Sequence, residues 1–428
     1  MAGLLLDLTP LRVEPAYRRL YAGFALSGVG AQLAATAIGL QVYDLSRSTA
    51  AVGLVGLCAL VPLVVMGLYG GALVDHHDRR TVAIVGAVVL WAASIGNIVQ
   101  SFLDNRHVWV LYLLAGVSSA AFGVVNPARA AIYPRLLAPE LLPAANALSI
   151  VAMNLAFLGG PFLAGILVDL VGFTAAYALD AAMFTAAMWG LWRLPPIPPE
   201  HDGEPGTGPS RPPGLRAVWD GLAFLGTRPN VRMTFLADLV AMVLAQPRAL
   251  LPAIAALVLG GGARTVGLLG TAVAVGGVVA MLASGPLGRI RRQGIAVVVS
   301  VIGWGAGFAA FGAIVLAVPE RLDPGPALWW ACAAMAVAGA SDAVSAVFRV
   351  TILQAATPDH LRGRLQGVFV VVVAGGPRLG EMLSGAVASV LGEGRTAVLG
   401  GLACIGAIVA LGVWQRGFLR YDSRHPTP

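Results

Sequence analysis

Long apolar runs alternate with short polar turns along nearly the whole chain. Each run lasts about 20 to 25 residues, enough for a helix to cross roughly 30 Å of hydrocarbon. The pattern predicts twelve spans, over residues 19–43, 51–74, 81–102, 108–131, 146–169, 172–192, 231–259, 265–287, 294–318, 326–350, 366–391 and 395–415. Charges gather between the runs and are sparse inside them, as lipid-facing helices require. One longer interruption, 193–230, holds Pro195-Pro196-Ile197-Pro198-Pro199 and a polar Gly/Pro-rich stretch. It is expected to be a flexible cytoplasmic linker between an N-terminal half, 1–192, and a C-terminal half, 231–428. Its Leu215–Leu225 part reads as a short amphipathic helix on the membrane surface.

The two halves repeat. Val52-Gly53-Leu54-Val55-Gly56 matches Val266-Gly267-Leu268-Leu269-Gly270 at an offset of 214, and Gly159-Gly160-Pro161 matches Gly375-Gly376-Pro377 at an offset of 216. Parallel repeats of six spans are the pattern of one large class of transporters. The predicted fold is therefore an all-α membrane protein of twelve transmembrane helices in two pseudo-symmetric halves.

Composition agrees: of 428 residues, 58% are hydrophobic and 11% charged, and the mean hydropathy is +0.81. Soluble domains carry about 25% charged residues. The net charge is +7, and every basic residue is an arginine. Placing the N-terminus inside puts 21 of the 28 arginines on cytoplasmic segments and 5 on outer ones. The positive-inside rule thus accounts for the charge and places both termini in the cytoplasm, with no need for nucleic acid. Cys58, Cys332 and Cys404 lie singly in apolar runs and form no disulfide or metal pattern. With no lysine, a Walker A phosphate loop is impossible, so ATP is not the energy source.

Between the second and third runs stands Gly70-Gly71-Ala72-Leu73-Val74-Asp75-His76-His77-Asp78-Arg79-Arg80. It resembles the loop G-G-x-L-A-D-x-x-x-R-R of the major facilitator superfamily, at Gly71, Leu73, Asp75, Arg79 and Arg80. Asn126-Pro127-Ala128-Arg129, Ala145-Asn146-Ala147-Leu148, Gly160-Pro161-Phe162-Leu163-Ala164-Gly165 and Gln354-Ala355-Ala356-Thr357-Pro358 resemble the enterobactin-exporter-like branch of that superfamily. The resemblance implies a gating role for the loop, with Asp75 pairing Arg79 or Arg129. It also implies an exporter bend at Gly160 and Pro161, with Gly165 allowing close packing, and a cavity lined by spans 1, 4, 7 and 10. The arginine that drug antiporters of the superfamily carry in span 4 is missing from Leu113-Leu114-Ala115-Gly116.

Ionisable groups inside a span are costly and mark functional sites. Arg248 falls near the middle of span 7 and Asp342 in span 10. Arg378 and Glu381 share a face of span 11, three residues apart. Asp342 and Glu381 are the available counter-ions of the two arginines, with Asp342 alternatively a structural partner of Arg248 or Arg349, and Glu381 ranks ahead of Asp342 as the group that titrates. Gln32 and Asn126 are neutral polar groups on cavity spans. Asp238 reads as interfacial, and Asp169 and Asp180 as wet outer-end acids. The expected protein is no enzyme and has no cofactor or metal. It is a monomeric exporter in the bacterial inner membrane, moving a siderophore or similar small amphipathic molecule against a proton gradient. A multidrug or macrolide exporter, and a non-transporting sensor on the same fold, remain open.

Overall fold

The computed structural model describes residues 7–197, 225–283, 290–318, 320–356 and 359–422. Within its helices, the side chains at 68, 71, 72, 74–76, 139, 143, 147, 354–371 and 374 lie outside the description. The described chain is helical, with no strand. We name its long helices α1 (Pro15–Ser46), α2 (Thr49–His76), α3 (Arg79–Phe102), α4 (Val108–Leu136), α5 (Leu142–Leu170), α6 (Phe173–Trp192), α7 (Pro229–Leu244), α8 (Gly262–Leu282), α9 (Gln293–Ala317), α10 (Pro324–Ala356), α11 (Asp359–Leu391) and α12 (Glu393–Trp414).

Nine of these are long and apolar enough to cross a membrane among the described residues. The others are explained individually. α6 carries Asp180 in its middle, α7 is only 16 residues long, and part of α11 is undescribed. Large apolar side chains such as Phe102, Trp109, Leu282, Val390 and Trp414 point outward, as lipid contact demands.

Span 7 departs from the sequence reading of one helix over 231–259. α7 ends at Leu244, a turn follows, and a short helix resumes at Leu251–Leu257. Gln246 precedes Pro247, and a residue before proline is pushed out of the helical region; Pro247 itself brings no N–H. Ala245, two residues before Pro247, has already left the helix, at φ −124, ψ 58. The Trp304 indole of α9 donates to the carbonyls of Ala241, which also accepts from the Ala245 N–H, and of Ala245 at the break, both at 3.1 Å. Arg248 therefore lies in a turn and not mid-helix, a correction to the sequence expectation.

The chain forms two compact units, residues 1–38 with 58–215, and residues 39–57 with 216–428. In the first, Tyr17, Leu20, Ala83, Ala128, Ile132, Leu148, Leu191, Leu194 and Ile197 form one buried core. Gly160 of α5 packs on the backbone of Gln32 and Leu33 of α1, leaving no room for a side chain. α5 stays continuous through Pro161. In the second unit, Gly276 and Gly339 bring α8 and α10 into backbone contact, and Gly305 and Gly401 do the same for α9 and α12. Gly172 and Gly392, at φ 92 and φ 80, make matching tight turns before α6 and α12.

The linker begins ordered. Ile197 is buried; its N–H donates to Asp78 Oδ2 at 2.8 Å, and its carbonyl accepts from the Arg79 N–H at 3.0 Å. The expectation of flexibility from residue 193 onward is thus wrong for 193–197, because two backbone hydrogen bonds and an apolar anchor hold that segment. The expected amphipathic helix at 215–225 lies outside the described residues, its last residue excepted.

Candidate functional site

The second unit holds two charge clusters. In the first, Glu381 of α11 is nearly buried, with its side chain 5% exposed. Its Oε2 accepts from Arg378 Nη1 at 3.2 Å, one helical turn away. Its Oε1 lies 3.7 Å from Arg248 Nη1, carried on the turn that breaks span 7. The N-terminal part of α2 closes over this carboxylate. A Cβ on Gly56 would fall 2.8 Å from Glu381 Oε2 and 2.7 Å from the Arg378 carbonyl. The pattern Val52-Gly53-Leu54-Val55-Gly56 thereby has a physical purpose: only glycine lets α2 lie on Glu381.

The second cluster was only partly legible. Arg349 Nη2 lies 2.8 Å from Asp238 Oδ1 and 3.5 Å from Asp342 Oδ1. Arg349 and Asp342 are seven residues apart on α10, two turns along one face. Asp238 of α7 is buried, so the reading of it as interfacial is corrected. Asp342 pairs with Arg349 and is not the counter-ion of Arg248 or Arg378. The pairing of Asp342 with Arg349 was among the sequence alternatives, and their i, i+7 spacing agrees with it; what the sequence hid was Asp238, which reaches Arg349 from another helix.

In the first unit, Arg129 of α4 donates to Asn126 Oδ1 at 2.8 Å, and its guanidinium stacks 3.4 Å over the Phe24 ring. Gln32 is half-buried on α1 beside Gly160. Asp180 is buried too, not wet: Ser94 Oγ of α3 donates to its Oδ2 at 2.6 Å, and Gly30 of α1 packs against its Oδ1. Asp169 is exposed as expected.

In the loop before α3, Asp78 caps the helix by accepting from the Thr81 N–H at 2.8 Å. Arg79 donates to the Ala131 carbonyl at 3.2 Å and Arg80 to the Trp192 carbonyl at 2.7 Å. Arg80 thus sits at the C-terminus of α6, where carbonyls lack partners and the dipole favours a cation, and Arg79 reaches a carbonyl in the last two turns of α4. The expected partner Asp75, and Gly71, lie outside the described residues.

Packed apolar helices with charges buried inside them define a polytopic membrane protein. The chain belongs to the transmembrane secretion effector family of the major facilitator superfamily, which it matches over residues 6–420. It is a multi-pass membrane protein and not an enzyme. It is 28% identical over 414 residues to the enterobactin exporter EntS of Salmonella choleraesuis (strain SC-B67), covering 95% of this chain and 94% of that protein. It is 28% identical over 411 residues to the protein of the same name from Citrobacter koseri, with the same coverage. Among solved structures, the nucleoside transporter NupG superposes with a TM-score of 0.71 at 14% identity, over 95% of this chain and 100% of that one. A bacterial homologue of the iron transporter ferroportin in its inward-facing state gives 0.68 at 14% identity, over 95% and 98%. These structures establish the fold alone.

Proposed function

We propose that the chain is a secondary active exporter of a small amphipathic molecule, a siderophore or related secondary metabolite, working by proton antiport and alternating access. In this reading twelve spans form two six-helix halves, 1–192 and 231–428, joined by 193–230, and the monomer sits in the bacterial inner membrane. The observation that carries the substrate class is the cluster at the break in span 7. Arg248 and Arg378 both face one carboxylate, Glu381, so two guanidiniums stand together at the break in span 7 and the helix beside it. Broken helices near the middle of a transporter are where substrate groups bind. An acidic, catechol-bearing cargo is attracted there; a cationic drug is repelled. The relatives' name supports the same class. Gln32 and Asn126 of the first unit are further polar groups of the proposed substrate pathway, and Arg129 belongs with the gating loop.

The test is transport by the purified chain in proteoliposomes, with enterobactin as probe. Efflux is expected to accelerate when an inward proton gradient is imposed, and Arg378→Ala is expected to weaken binding of acidic cargo more than that of neutral analogues. Transport of a cationic drug with no flux of enterobactin would overturn the substrate class.

Orientation has its own test. In a background with Cys58, Cys332 and Cys404 replaced, Arg321→Cys is expected to react with a membrane-impermeant thiol reagent in intact cells. Gly206→Cys is expected to react only after the membrane is opened. The reverse labelling inverts the topology.

A further inference from the structure

Helices α3 and α6 of the first unit share a buried polar seam. Three contacts fix their register. Ser101 Oγ lies 2.8 Å from Thr174 Oγ1, Ser94 Oγ lies 2.6 Å from Asp180 Oδ2, and the Trp91 indole donates to Thr185 Oγ1 at 3.0 Å. Numbers fall along α3 as they rise along α6, so the two helices are antiparallel. Between the first two contacts lie Asn97, Gln100 and Tyr177, all buried. One turn past Asp180, Leu90, Phe184 and Ala121 form an apolar cluster, and Thr185 stands at the exposed edge. The interior of the seam is thus polar from one end of the helices down to Asp180 and apolar beyond it. In the orientation proposed above, the polar end faces outward. We propose that Asp180 is a proton-binding site that loads from the outer face along this seam and, resting on the antiport reading above, holds the proton exchanged for cargo. The sequence ranked Glu381 first and read Asp180 as wet.

Hydrogen-bond accounting at Ser94 carries the site. Its hydroxyl has one hydrogen but two acceptors in reach, Asp180 Oδ2 at 2.6 Å and the Leu90 carbonyl at 3.2 Å. Both contacts are hydrogen bonds at once only if Asp180 brings a hydrogen of its own. The acid then donates to Ser94 Oγ, and Ser94 donates to Leu90. An ionised Asp180 would have Ser94 as its one donor, since its Oδ1 is buried with no hydrogen-bond partner. A buried charge so weakly supported is costly, and a neutral acid is not. A Cβ on Gly30 would fall 2.6 Å from Asp180 Oδ1, so α1 lies directly on the carboxyl group. Gaining or losing the proton therefore acts on α1, which also carries Gln32. Along the way in, Asn97 Oδ1 is buried with no hydrogen-bond partner, an acceptor open to a water that carries the proton.

No cation is paired with Asp180 among the described residues. The charges of α3 are Arg79 and Arg80, in its first turn, and α1 has no ionisable side chain between Tyr21 and Tyr43. From α5 comes Asp169, exposed at its end; from α4, Tyr112 beside Cys58 and Arg129 bonded to Asn126. Tyr177 is the one other ionisable group of α6. On the loop after α3, Arg106 pairs with Asp104 in solvent, and His107 is exposed. The end of α2, with Asp75 and His76, adjoins the start of α3, as does Ile197. Ser94 is fifteen residues along α3 from Arg79, about 22 Å away and beyond the reach of a side chain there.

Infrared titration of the full chain in lipid nanodiscs, without cargo, is the decisive measurement. The carboxylic-acid C=O signal is expected to lose one group in Asp180→Asn, and in Ser94→Ala to shift in frequency with the group retained. Asparagine offers an N–H where the acid offers its O–H, so Asp180→Asn is expected to keep the wild-type thermal midpoint. After a rapid pH jump, the Asp180 signal is expected to respond more slowly in Asn97→Leu and at the wild-type rate in Thr185→Val. In proteoliposomes with a trapped pH dye and radiolabelled enterobactin, Asp180→Asn is expected to lose the proton flux that accompanies cargo. An undiminished acid signal, an unchanged proton-to-cargo ratio or loss of folded protein in Asp180→Asn overturns the proposal, as does a wild-type response in Asn97→Leu. A wild type that moves enterobactin without protons removes the antiport reading instead, and the infrared signals then decide alone whether Asp180 binds a proton through the seam.

Discussion

Glu381→Gln is expected to remove most of the folded protein from the membrane, and adding Arg378→Gln is expected to restore much of it. Glutamine has nearly the shape of glutamate, so the substitution opens no cavity and the loss is one of charge. The carboxylate holds Arg378 at 3.2 Å and Arg248 at 3.7 Å. Both guanidiniums then remain beside a neutral amide, each partly withdrawn from solvent. Removing one partner of a buried ion pair costs about 3–5 kcal/mol; the arginines are 26% and 36% exposed, which places this case toward the lower end. About 3 kcal/mol is still a large part of a typical folding free energy of about 5–15 kcal/mol. The double variant removes one guanidinium together with the carboxylate, so the summed charge of the three groups is that of wild type. The check is the thermal midpoint of detergent-solubilised protein by size-exclusion fluorescence. The expected order is wild type, double variant, then Glu381→Gln; a single variant as stable as wild type would refute Glu381 as the shared counter-ion.

The spans were legible because hydrocarbon thickness fixes helix length, and most observed helices end within about four residues of the predicted runs; α10 runs six residues further, α11 starts seven earlier, the predicted end of span 8 lies outside the described residues, and span 7 is broken. There, the proline was visible but its effect was not. Pro62, Pro127, Pro161 and Pro377 all sit inside continuous helices. What distinguishes Pro247 is a tertiary partner, the Trp304 indole from a helix more than fifty residues away, which donates to the Ala241 and Ala245 carbonyls at the break. Sequence spacing cannot reveal such a partner.

The same reason explains the acids. A carboxylate near the end of an apolar run is usually wet, and on that ground Asp180 and Asp238 were read as peripheral. Asp180 is instead sheltered by Ser94 from α3 and Gly30 from α1, and Asp238 by Arg349 from α10. Pairs within one helix were recoverable by counting, as Arg378 with Glu381 shows. Pairs between helices needed the fold. The loop before α3 teaches a narrower point. Its arginines reach backbone carbonyls of Ala131 and Trp192, and a motif of residue types does not specify acceptors that every residue possesses.

Arg349→Met is expected to be as damaging as Glu381→Gln, with an asymmetric rescue that tests the burial order of its two acids. Methionine preserves most of the apolar stem, so packing changes little. The missing guanidinium leaves Asp238, 5% exposed, without a counter-ion, and leaves Asp342, 33% exposed, able to draw on solvent. A buried carboxylate stripped of its partner costs about 3–5 kcal/mol, whereas a partly solvated one costs far less. Asp238→Asn in the Arg349→Met background is therefore expected to recover most of the lost yield and thermal stability, and Asp342→Asn little of it. By the same reasoning Asp342→Asn in the wild-type background should change stability by less than about 1 kcal/mol, since it leaves the Asp238–Arg349 pair intact. Thermal midpoints of the five proteins decide the matter: equal rescue by the two asparagines would show that both acids are equally solvated, and the assignment of Asp342 as the accessible member of the cluster would fall.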